Sequence, residues 1–156
     1  MKTATHSLRV TRTIHADQDT LFRAWTDPQQ LEHWWKMDGP GWSFSEAKID
    51  LRAGGSYRLG MTDPQGNRHV AVGVYREIQR PTLLAFTWEW EDPARSVGET
   101  LVRVEFRSLG DRKTEVILTH ELFADPEKVK GHEQGWTQLL GLLDRAFASG
   151  ARQERA

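Results

Sequence analysis

Cysteine is absent from the 156-residue sequence. That excludes disulfides, a thiolate nucleophile and zinc sites built on cysteine. No apolar run approaches the ~20 residues of a membrane-spanning helix, and the N-terminus, MKTATHSLRV, has no apolar signal core. Basic residues form no run either: 21 Lys and Arg are interspersed with 22 Asp and Glu, for a formal net charge of −1. Nucleic acid or an anionic membrane is therefore not expected as the main partner. The sequence also lacks a phosphate loop, a dinucleotide fingerprint, GxSxG and HExxH. No serine sits in a recognisable nucleophile setting, so no catalytic residue is assigned, and no cofactor is implied. The expectation is one cytoplasmic domain, residues 7–149, with frayed ends at 1–6 and 150–156.

What the chain has in abundance is tryptophan, seven in all, mostly within apolar patterns. It also has one long amphipathic stretch, from Asp125 to Ser149. There Val129, Trp136, Leu139, Leu140, Leu143 and Phe147 recur at helical spacing, opposite Lys130, Gln134, Thr137, Gly141, Asp144 and Ala148. Asp125 suits the cap, Pro126 the first helical position and Gly150 the end. A helix of about six turns with one apolar stripe needs a large apolar partner. His132 falls inside that stripe. Gly131 and Gly135 sit in the helix although each costs about 1 kcal/mol against Ala. They serve either close packing of helix on sheet or a space left beneath the helix.

The partner must be a sheet, and the rest of the chain supplies it. Residues 7–15 alternate as a strand, with Leu8, Val10 and Ile14 on one side. Asp17 is placed to cap a short helix that buries Leu21, Phe22 and Trp25, and Pro28 opens a second one through Trp35. Strands follow from Trp42 onward, one of them placing Tyr57, Leu59 and Met61 on a single face. The last three are the cleanest: Leu84, Phe86, Trp88 and Trp90 share a face, as do Val102, Val104 and Phe106, and as do Val116, Leu118, His120 and Leu122. Tight turns between successive strands predict an antiparallel meander. The fold class is therefore α+β: a curved antiparallel sheet of about seven strands wrapped around a long C-terminal helix, with two short helices after the first strand.

This order, with several local motifs, resembles the SRPBCC (START-like, helix-grip) superfamily. Within it, the chain is similar to the bacterial family related to the C-terminal domain of the activator of heat-shock-protein-90 ATPase. The resemblance is carried by Arg12-Thr13-Ile14, by Phe22 through Pro28 with Leu31 and Trp34-Trp35, and by Gly54-Gly55-Ser56-Tyr57. It continues through Gly73 to Ile78 with Pro81, then Leu84 through Trp88, and Gly135-Trp136 with Leu139. It spans about residues 7 to 148 and specifies fold far more than activity.

The resemblance implies a small apolar ligand, aromatic or lipid-like, held between sheet and helix. The candidate ceiling is Trp136, Leu139, Leu140 and Leu143. The candidate floor is Phe86, Trp88, Val104, Phe106 and Leu118. Tyr57, His120 and His132 are the polar groups whose periodicities turn them inward, either as handles for a ligand or as neutral groups hydrogen-bonded within the core. Two histidines without a matched carboxylate do not make a metal site. Trp34 and Trp35 are adjacent on a short helix, which predicts that only one faces the core. The other, with Trp35 the candidate, would stand at a pocket mouth near Gly39-Pro40-Gly41. Two further functions follow from the resemblance alone: a chaperone-ATPase-activator-like partner protein, or an enzyme like the superfamily's cyclases and hydrolases, which would need a histidine acid or base.

Overall fold

The structure, a computed structural model, describes residues 5–154, and side chains as far as residue 148. Strand β1 (His6–Ile14) is followed by helix α1 (Gln18–Thr26) and the single-turn helix α2 (Pro28–Leu31). Six strands come next: β2 (Ser43–Ile49), β3 (Ser56–Thr62), β4 (Arg68–Gln79), β5 (Leu83–Trp90), β6 (Thr100–Gly110) and β7 (Lys113–Phe123). Helix α3 (Pro126–Glu154) ends the described chain. The strands form one open antiparallel sheet in the order β1-β7-β6-β5-β4-β3-β2. The meander from β2 to β7 is as expected, and β1 closes it by pairing antiparallel with β7. Register shifts in β2, β4 and at the start of β1 mark bulges, which bend a sheet. This is the α+β helix-grip arrangement.

The inward faces follow the alternation. Leu84, Phe86 and Trp88 on β5, Val102, Val104 and Phe106 on β6, and Val116, Leu118 and His120 on β7 are all buried. Helix α3 lies along β1 and β7, and Trp136, Leu139, Leu140 and Leu143 are its buried stripe. Asp125 caps it, its Oδ1 accepting from the Glu127 N–H at 2.9 Å. An Arg12–Asp144 pair at 2.9 Å ties the helix to β1. Such half-exposed pairs are worth about 0–1 kcal/mol, so they orient more than they stabilise. Glycine is needed where β4 passes β5: a Cβ on Gly73 would stand 2.0 Å from the Thr87 carbonyl oxygen.

Several expectations are corrected. Gly150 does not end α3, which runs on to Glu154, since the packed apolar face upstream outweighs one glycine. Of the ends expected to fray, residues 1–4, 155 and 156 lie outside the described residues, while His6 already begins β1. Asp17 occupies the cap position of α1 but makes no cap bond. Its Oδ1 instead accepts from the Arg112 N–H, at 3.0 Å, in the β6–β7 turn. Leu122 leaves the buried side of β7: its φ is +73°, it is 50% exposed, and Phe123 takes the inward position at 0%. The second short helix stops at Leu31 rather than reaching Trp35. Beyond it the chain turns irregularly, so helical phase no longer governs Trp34 and Trp35, and both are buried at 1% exposure. Trp34 Nε1 donates to the Ala24 carbonyl at 3.0 Å, fastening this turn to α1.

Candidate functional site

The aromatic residues gather at one end of the sheet–helix interior. Trp136 of α3 lies 4.9 Å from Trp88 on β5 and 5.9 Å from Trp35, between ring centroids. Trp25 of α1 stacks on it at 6.0 Å. Beside this cluster the interior opens into a cavity of about 370 Å³. Trp35, Trp88, Trp136 and Leu139 form its deep wall, with Met61 from β3. Trp42 and Met37 close one side. Their loop is tied to α3 where Gln138 accepts from the Asp38 N–H at 3.2 Å and Arg145 pairs with Asp38 at 2.9 Å. The mouth is edged by Arg95, Glu127 and Lys128, all exposed. A volume of this size lies at the lower end of small-molecule pockets, about 300–1,000 Å³.

Gly131 and Gly135 also line the cavity. A Cβ added at either would meet nothing within 4 Å. The close-packing alternative therefore fails here: these glycines border open space and touch no facing strand.

The two inward histidines are both fully engaged. His120 Nδ1 accepts from Trp136 Nε1 at 3.0 Å. Its Nε2 lies 2.7 Å from the Thr100 hydroxyl, which itself donates to the Trp88 carbonyl at 2.8 Å. The hydroxyl proton is thus committed, so Nε2 carries the imidazole proton and donates. His132 holds the opposite tautomer: Nδ1 donates to the Lys128 carbonyl at 2.8 Å, and Nε2 accepts from Trp90 Nε1 at 3.0 Å. Burial pushes His120 down to about 2, with the neighbouring His132 adding to the effect. Burial lowers His132 too, against the bond to the Lys128 carbonyl. Neither ring keeps a free nitrogen for a ligand, and burial favours the neutral form of both. Tyr57 is engaged likewise, donating to the Thr87 carbonyl.

The unpaired polar groups lie elsewhere. The indole N–H groups of Trp35 and Trp88 are buried without a partner, and both residues line the cavity. An unsatisfied buried donor costs about 1–3 kcal/mol.

Of the residues expected to contact a ligand, the structure brings Trp35, Trp88, His132, Trp136 and Leu139 to this cavity. Tyr57 and Phe86 border a separate void of about 10 Å³, room for one water at most. Val104, Phe106, Leu118, Leu140 and Leu143 are packed in the solid core, and His120 lies behind Trp136. The space is thus confined to the first half of α3. Met37, Trp42, Met61, His69, Trp90, Arg95, Glu127 and Lys128 complete the lining. Met61 and Trp90 carried a signal in their strand periodicity; the loop residues carried none.

The model of the family described as activator of Hsp90 ATPase homolog 1-like protein matches residues 15–148. The chain belongs to that family. It sits within the START-like helix-grip superfamily, as its motifs imply. Among solved structures it is similar to the AHSA1 protein of Silicibacter pomeroyi, at 27% identity and TM-score 0.80, over 93% of this chain and 99% of that one. It is also similar to CalU16 of Micromonospora echinospora, at 25% identity and TM-score 0.68, over 89% and 74%. A protein of Nitrosomonas europaea shares the fold at 22% identity and TM-score 0.75, over 94% and 96%. No protein of curated function matches the chain. Among the described residues of this family member, no helix is long and apolar enough to cross a membrane. No group of three or more His, Asp or Glu side chains among them could hold a metal ion.

Proposed function

We propose that the protein binds a small, planar, largely apolar molecule in the cavity between the first half of α3 and strands β3 to β5. The observation that carries this reading is the wall itself. Trp35, Trp88 and Trp136 present aromatic surface, two of them hold an unpartnered indole N–H, and two helix glycines leave the space open. Aromatic walls favour stacked or edge-on contact with a flat ring system. The chaperone-activator reading rests on the family description alone, and no residue of the site supports it. An enzymatic reading would need an acid or base free to exchange protons, which the engaged His120 and His132 do not supply.

The test is a ligand screen read by intrinsic tryptophan fluorescence and by melting temperature. Ligand at ~100 times its dissociation constant adds about 2.7 kcal/mol of stability if only the native state binds. For a domain of this size that is roughly 5–11 °C, at about 2–4 °C per kcal/mol. Leu139→Trp should fold yet lose the response, because it fills the space. A screen of flat aromatic compounds giving neither quenching nor a melting shift, with the variant behaving as the native chain, would refute the reading.

A further inference from the structure

The lining of the cavity is rich in donors and poor in acceptors. Its imidazole acceptors are spent: His132 Nε2 on Trp90, and His69 Nδ1 on Arg95. Its donors are not. The indole N–H groups of Trp35 and Trp88 have no partner. Among the described residues Lys128 makes no ion pair, and Arg95 makes a half-exposed one with Asp92 at 4.0 Å. Against these stands a single carboxylate in the lining, Glu127.

Arg95 is held in place from behind. The Asp63 Oδ1 accepts from the N–H groups of Gln65 and Asn67, both at 2.9 Å, which fixes the carboxylate in the β3–β4 hairpin. Asp63 Oδ2 accepts from His69 Nε2 at 2.9 Å. Both side chains are about nine-tenths buried, at 11% and 10% exposure. With its proton on Nε2, His69 offers the Nδ1 lone pair, and Arg95 Nη1 donates to it. The chain Asp63–His69–Arg95 thus runs from a rigid hairpin to the cavity mouth, where it presents a guanidinium. Among the described residues the one carboxylate paired with the guanidinium is the half-exposed Asp92, at 4.0 Å, a contact worth about 0–1 kcal/mol. The guanidinium edge left over suits two-point recognition of a carboxylate.

We infer that the ligand is a planar aromatic carboxylate, its rings lying among Trp35, Trp42, Trp88 and Trp136 and its carboxylate on Arg95 at the mouth. Lys128 adds long-range attraction, and Asp63 and His69 are positioning residues. This rests on the small-molecule reading above and names the class of molecule.

Calorimetric titration with naphthalene-2-carboxylate and with its neutral isostere naphthalene-2-carboxamide tests the inference. At low salt the acid should bind about 10-fold more tightly, the scale of one hydrogen bond to a charged group. The preference should shrink as salt is raised. Arg95→Gln should remove the preference, weakening the acid far more than the carboxamide. His69→Leu should weaken it, and His69→Gln, which can still accept from Arg95 and donate to Asp63, should restore part of it. Circular dichroism confirms that each variant is folded, and Lys128→Gln gives a second, smaller loss that does not touch the hairpin. Equal binding of acid and amide, or a preference that survives Arg95→Gln, overturns the carboxylate assignment and leaves the pocket reading standing. Failure of both compounds to bind overturns the two together.

Discussion

Replacing Gly131 and Gly135 together by Ala is the most direct probe of the space beneath α3. Both lie in the interior of a 29-residue helix, where glycine is about 0.8–1.0 kcal/mol worse than Ala. Neither has the positive φ that would make Ala strained, and a Cβ at either position meets nothing within 4 Å. The new methyl groups therefore incur no steric cost, and the helix-propensity gain should appear undiminished. The double variant should gain about 2 kcal/mol, or roughly 4–8 °C in melting temperature. A urea titration should show a raised midpoint with an unchanged slope, because the buried surface hardly changes. Ligand affinity should move the other way, since both methyl groups stand in the cavity wall. Gain of stability with loss of binding is the signature of glycines kept for room. A variant less stable than the native chain would show that the helix packs closely there, and the cavity argument would fall.

Other outcomes follow from the same geometry. His120→Gln should cost about 1–3 kcal/mol in a denaturant titration, because Trp136 Nε1 and Thr100 lose well-aligned partners. Acid should destabilise the native protein through the same residue. The unfolded chain takes up a proton near pH 6.5, whereas folded His120, held down to about 2, does not. Its contribution is complete above pH 6.5 and is lost as pH falls toward 2, at about 1.4 kcal/mol per pH unit. Comparing native and His120→Gln stability between pH 6.5 and 4.5 checks this, and parallel curves would refute it. Trp34→Phe should lose about 1–3 kcal/mol by calorimetry, since it strips the buried Ala24 carbonyl of its indole donor.

The fold was legible because its signals are local and periodic. Alternation along β5, β6 and β7 placed Phe86, Trp88, Val104, Phe106 and Leu118 inward, and the 3.6-residue period placed Trp136, Leu139, Leu140 and Leu143 on one stripe of α3. Those periods are imposed by backbone geometry, so they survive without any knowledge of the partner. They failed where the backbone stopped being regular. Leu122 flips outward at a positive φ, and Trp34 and Trp35 both turn inward once α2 has ended.

Periodicity says which side chains face the interior, but not where that interior is filled. Leu140 and Leu143 share the stripe of Leu139, yet only Leu139 reaches the cavity. Space is a property of the whole packing, set by how far the bent sheet stands from the helix at each level. The polar pairings are equally non-local: His120 meets Trp136 and Thr100, and His132 meets Trp90, across elements distant in the chain. The sequence by itself thus determined the elements, their buried faces and the helix-on-sheet plan. Only the tertiary structure decided that the inward histidines are spent on indoles and a hydroxyl, that the buried N–H groups of Trp25, Trp35 and Trp88 are left without partners, and that the hairpin's Asp63 reaches Arg95 through His69. Each of these depends on distances between segments that no local period encodes.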